Sequence, residues 1–166
     1  MVSAPLGGDW TGPNPTDRAK SGSKRHIWVD QRGAPLSIRV TAANDHDVTE
    51  IMNLINRPIV CRPKPVYKVQ HLCIDKAYDS EEVRTKLRKH NIPPHIRKRD
   101  YGNSAPTPLP LESEKHPARR WVVERTLSWQ NDFRSLRTRW AKKSVNWLAF
   151  ISLACTLILW KMCAHD

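Results

Sequence analysis

The sequence has no Cys-x-x-Cys pair, no cleavable leader, no apolar run of membrane-spanning length and no internal repeat. Each absence excludes a class. Cys61, Cys73, Cys155 and Cys163 stand too far apart for a zinc ribbon, and no Cys/His cluster has zinc-finger spacing. Without a leader or a disulfide framework, a reduced, cytosolic protein is expected. The longest apolar stretch, Trp147 to Trp160, is broken only by Ser152 and Thr156 and has 14 residues. A spanning helix needs about 20, so a packing helix is expected instead of a membrane segment. Glycine is scarce, at six against thirteen prolines, which predicts stiff loops over flexible linkers. Apolar residues make up 39%, yet seven tryptophans argue against disorder.

What the chain has in excess is positive charge, 28 Lys and Arg against 16 Asp and Glu, a net +12. The excess is uneven. Residues 1–60 hold seven basic and six acidic groups, residues 61–100 eleven and five, and residues 101–166 ten and five. A basic surface of this kind favours a polyanion, most often a nucleic acid. The length fits one domain.

Residues 7–23 carry turn chemistry and read as a loop. Residues 25–41 read as a hairpin, with Leu36, Ile38 and Val40 alternating against Ser37, Arg39 and Thr41. Asp47 and Glu50 make a capping-box pattern for a helix that stops near Pro58. Residues 70–75 form a short apolar strand ending on Asp75, and Asp79 is placed to cap a helix through about His90. Residues 95–99 suit an edge strand, and 100–117, with four prolines, a loop. A helix over 118–140 carries the stripe Val122, Thr126, Trp129, Phe133, Leu136 and Trp140, and an apolar helix follows over 144–162. The order of elements is that of an α/β domain, a hairpin leading into βαβ units.

Two carboxylates stand where chemistry is possible. Asp75 closes a strand, and the C-terminal ends of strands in open α/β sheets face the binding crevice. The plain alternative is a loop Asp capping the next helix. Glu124 lies about 200° around its helix from Val122, on a polar face with Arg120, Ser128 and Asn131. There the alternative is a surface pair with Arg120.

Three stretches carry a resemblance. Residues 7–26 (GGDWTGPNPTDRAKSGSKRH), residues 75–79 (DKAYD), and residues 120–129 (RWVVERTLSW) followed by 133–137 (FRSLR) closely resemble, in order and spacing, boxes of bacterial insertion-sequence transposases. The family is the DDE transposases of the insertion sequence five group, and the likeness covers nearly the whole chain. It implies an RNase H-like mixed sheet flanked by helices, with C-terminal helices added. It implies metal-dependent DNA nicking and strand transfer, with Asp75 and Glu124 as catalytic metal ligands and Arg120 and Tyr78 in support. Mg²⁺ or Mn²⁺ is the implied cofactor, because hard oxygen ligands suit it. Transposon ends and target DNA are the implied partners, a homo-oligomer the implied assembly, and the bacterial cytoplasm, at the nucleoid, the implied location.

Some positions depart from the family pattern. A Tyr three places before the Arg is here Pro117, and a Lys seven places after the Glu is here Asn131. The lost cation at Asn131 leaves nearby Arg134 as a candidate replacement. The first Asp of the family falls a few residues upstream of Met1, so most of the first, central strand is expected to be missing. Asp9, Asp17 and Asp30 are poor substitutes. A chain of this extent is expected to be marginally stable or to aggregate when made alone. Phosphate contacts are expected from Arg18, Lys20, Lys24 and Arg25, from Arg97, Lys98 and Arg99, and from Arg134, Arg137, Arg139, Lys142 and Lys143. The alternative function is a DNA-binding remnant without activity.

Overall fold

The computed structural model describes residues 1–59, 70–75, 78, 80–96 and 120–164. The hairpin forms as expected, from β3 (Ser21–Val29) and β4 (Pro35–Ala42), antiparallel with Ile27 opposite Ile38. Its turn is fixed by Asp30, whose Oδ1 accepts the Arg32 and Ala34 amides, both at 2.8 Å. The strand starts four residues before the expected position 25 because Ser21–Ser23 are paired by β1 (Val2–Ser3) and β2 (Gly12–Pro13). The expected loop over 7–23 is shorter for the same reason.

Side chains alternate along β3 with a period of two. Lys24, His26 and Trp28 point toward α1 (Asp47–Ile55), while Arg25 points to the opposite face. On the α1 side Lys24 Nζ lies 2.9 Å from Asp47 Oδ1, and Arg39 Nε lies 3.2 Å from Glu50 Oε2. Asp47 was expected to cap α1, but His46 holds the cap position and makes no side-chain cap bond. The Asp47 carboxylate is instead turned to the Lys24 ammonium.

The second sheet is β5 (Leu72–Ile74) paired in parallel with β6 (Pro94–Ile96), and α2 (Glu81–Lys89) joins them. Ser80 occupies the N-cap of α2, and Asp79 lies outside the described residues. So do residues 97–119, which hold most of the expected edge strand and the whole proline loop. Among the described residues the strands form two sheets and not one mixed sheet. The physical reason is the length of β1, whose two residues pair only Gly22 and Ser23 of β3. Two apolar clusters follow this division. One gathers Val2, Val40, Leu136, Trp147, Ile151 and Cys155, and the other Ile51, Ile55, Val83, Leu87, Ile92 and Ile96.

The long helix expected over 118–140 is not continuous. It divides into α3 (Arg120–Asn131) and the single turn α4 (Arg134–Arg137), and the chain is then extended at Thr138. The cause is pairing to β1. Thr138 bridges Ser3 in parallel, and the Arg139 amide donates to the Ser3 carbonyl at 2.8 Å. Trp140 therefore leaves the expected stripe and is exposed. The last helix, α5 (Ser144–Ala164), is longer than the 14-residue apolar run and is long and apolar enough to cross a membrane by length and composition alone. One face of it packs into the first cluster through Trp147, Ile151, Ala154 and Cys155, and Ile158 is buried further along. Val145, Phe150, Leu153 and Trp160 are exposed on its outer face.

His26 gives this fold a pH dependence. It is buried, with Nε2 2.8 Å from Thr41 Oγ1, and burial lowers its pKa below the ordinary 6.5 despite the nearby Asp47 and Glu50. The unfolded chain takes up a proton that the folded ring resists, so this contribution to stability is present above pH 6.5 and is lost as the pH falls below it. Melting temperatures should fall more steeply between about pH 7.5 and about pH 5 for the wild type than for His26→Gln. Parallel curves would show that His26 has no part in the pH response.

Candidate functional site

Asp75 directly follows β5 and is half-buried, and its carbonyl accepts the Tyr78 amide at 3.0 Å. Tyr78 packs against the second cluster. Burial raises its phenol pKa far above the usual value, and Asp47 and Asp75 push it in the same direction. Tyr78 therefore stays protonated at neutral pH and can act beside Asp75 only as a neutral hydrogen-bonding group.

Glu124 is exposed on α3, on the side away from buried Val122 and Thr126, as the helical spacing requires. Ser128 and Asn131 continue its face one and two turns on, and both are exposed. The side chain of Arg120, at the head of that face, lies outside the described residues. The helix is held to the hairpin by its other side. The Thr126 hydroxyl donates to the Gly33 carbonyl at 2.8 Å, and the Arg125 guanidinium donates to the Arg32 carbonyl. Arg125 also lies 4.8 Å from the ring centroids of both Trp121 and Trp129. Gly33, at φ +90°, allows this approach, since a Cβ there would stand 2.8 Å from the Thr126 hydroxyl.

The oxygens of Asp75 and Glu124 suit a hard divalent cation. Among the described residues, however, no group of three His, Cys, Asp or Glu is placed to hold a metal ion. Two carboxylates alone are a poor cage, so the described residues do not by themselves fit the implied metal.

The expected phosphate-binding cations separate into distinct groups. Arg18, Lys20, Arg134, Arg137, Lys142 and Lys143 are exposed. Lys20 lies 3.5 Å from Asp17. Lys24 is committed to Asp47 and to the Asp45 carbonyl, which accepts from Nζ at 2.7 Å. Arg97, Lys98 and Arg99 lie outside the described residues. Arg139 is a correction. It is 0% exposed and cannot reach a phosphate. Its guanidinium donates to the Trp10, Ala141 and Lys142 carbonyls and to Ser23 Oγ, and lies over the Trp147 ring. The same junction needs Gly8, because a Cβ there would stand 2.1 Å from the Lys142 carbonyl oxygen.

Arg25 is the functional position that sequence reasoning placed least well. It was expected at the start of the hairpin, and β3 carries it to the end of α3. Nη2 donates to Asn131 Oδ1 at 2.7 Å and Nη1 to Gln130 Oε1 at 3.3 Å. The cations hydrogen-bonded to Asn131 are Arg25, through its side-chain oxygen, and Arg137, through its backbone carbonyl. Strand alternation could have found Arg25, since an odd position in β3 faces away from α1.

A two-layer α/β chain with an exposed Glu on one helix, an Asp ending a strand and a basic surface has the character of a nucleic-acid enzyme domain. The chain belongs to the Transposase DDE domain family, which matches residues 2–159. A relative is the putative transposase for insertion sequence element IS402 of Burkholderia cepacia. The two are 42% identical over 155 residues, covering 90% of this chain and 68% of the relative. No solved structure matches the chain.

Proposed function

We propose that this chain acts on DNA in the transposition of an insertion sequence, in the metal-dependent cleavage and transfer of strands. The observation that carries the reading is the family match over residues 2–159, with Glu124 exposed within it on a polar helix face. Asp75 and Glu124 would supply two of the oxygen ligands for Mg²⁺ or Mn²⁺ in an RNase H-like fold, and the ion would supply charge stabilisation at the scissile phosphate. They need a third oxygen donor, and among the described residues none completes such a group. Tyr78 steadies the strand end that bears Asp75. Arg18, Lys20, Arg25, Arg134 and Arg137 hold the DNA backbone, and Arg97, Lys98, Arg99 and Arg120 belong to the same set by resemblance. The protein works in the cytoplasm and brings two transposon ends together as a homo-oligomer.

A second reading is DNA binding without catalysis. It is favoured by the lack of a third metal ligand among the described residues. One assay separates the two. The full chain is incubated with an end-labelled duplex bearing the element's terminus, with Mg²⁺, with Mn²⁺ or with chelator. Metal-dependent nicks support the first reading. Retention of the duplex without nicks supports the second, and no binding at low salt removes both.

A further inference from the structure

A cavity of about 390 Å³ opens beside the C-terminal end of α3. Its walls include Arg25 from β3, Ser128 and Asn131 from α3, Asp132 just after it, and Arg137 from α4. Two guanidinium groups converge there on one residue. Arg25 Nη2 donates to the Asn131 side-chain oxygen, and Arg137 Nε donates to the Asn131 backbone carbonyl, each at 2.7 Å. Both of these acceptors are neutral. Asp132 lines the same cavity but forms no ion pair with either arginine.

Two guanidinium groups facing one open cavity make a local positive potential that attracts an anion. Arg25 is fixed for such a task. Gln130, wholly buried, accepts from Arg25 through Oε1 and donates from Nε2 to Cys155 Sγ at 3.2 Å. A side chain so anchored loses less freedom on binding than an exposed lysine. Burial also lowers the pKa of the Arg25 guanidinium from its ordinary value. Guanidinium forks and a hydroxyl from Ser128 match the oxygens of a phosphodiester. The cavity lies one to two turns along α3 from Glu124, on the same face.

We infer that Arg25 and Arg137, with Ser128 and Asn131, form a binding site for one backbone phosphate of the DNA strand that passes Glu124. The inference rests on the proposed DNA function and adds where the strand leaves the carboxylate. It also assigns Asn131 a role, that of orienting the Arg25 fork through its side-chain oxygen.

The test is a salt titration of binding to a labelled mixed-sequence duplex, with the full chain. Asn131→Asp is nearly isosteric and places a carboxylate on Arg25. It should keep or raise the melting temperature while weakening DNA binding by about tenfold and reducing the salt slope by about one unit. Arg137→Gln should act in the same direction with little effect on melting. If wild type binds DNA but both variants keep its affinity and slope, the site is wrong and the proposed function stands. If the wild-type chain binds no duplex at low salt, the site and the proposed function fail together.

Discussion

Replacing Glu124 by Gln, or Asp75 by Asn, is expected to lower metal-dependent nicking by about a thousandfold or more, since a lost metal ligand removes several kcal/mol of transition-state stabilisation. Both substitutions keep the shape, remove the charge and turn one acceptor oxygen into an NH2 donor. Glu124 is exposed and lies away from the buried side of α3, so Glu124→Gln should leave the melting temperature unchanged. DNA binding should persist or strengthen slightly, because one negative charge leaves a surface that meets phosphates. Rates with Mg²⁺ and Mn²⁺, read beside binding and melting, check this. Nicking by Glu124→Gln at the wild-type rate would remove Glu124 from the reaction.

The second large effect concerns a residue with no part in DNA contact. Arg139→Met is expected to destabilise the chain by about 3–5 kcal/mol, because buried carbonyls lose their donor. The carbonyls of Trp10, Ala141 and Lys142 and the Ser23 hydroxyl all take hydrogen bonds from this one guanidinium. Methionine fills much of the space and supplies no N–H. For a chain of this size the loss is a drop in melting temperature of about 10 °C. Arg137→Met, two positions earlier and exposed, should cost less than about 1 kcal/mol. Thermal melts of the two variants side by side decide the matter, and equal losses would mean that Arg139 is not the fastening described.

These two arginines show what the sequence could and could not convey. Arg134, Arg137 and Arg139 look alike as charges on one basic stretch. Only the break after Asn131, caused by pairing of Thr138 to Ser3, turns Arg139 inward and leaves the others outside. A helical stripe extended to Trp140 could not foresee that, because the competing partner, β1, is distant in sequence. The hairpin was legible, since alternation of Leu36, Ile38 and Val40 is a local property. So was the exposed face of Glu124, a matter of helical angle. The caps were less so. Asp47 has the right chemistry for an N-cap, but a lysine from β3 is a stronger partner than a backbone amide. The single mixed sheet was not realised among the described residues, because two residues of β1 cannot bridge β3 and β5. The placement of Arg25 beside Asn131 required both the strand phase and the docking of α3 on the hairpin, and only the first is written locally.

DNA is expected to lie along the face of α3 that bears Glu124. Arginine footprinting tests it most directly: the full chain is treated with phenylglyoxal, with and without a duplex, and modified peptides are read by mass spectrometry. DNA should protect Arg134 and Arg137, just beyond the end of that face, and leave Arg88 on α2, which is exposed and 3.3 Å from Glu81, as reactive as before. Protection of Arg88 with Arg134 and Arg137 left fully reactive would contradict it.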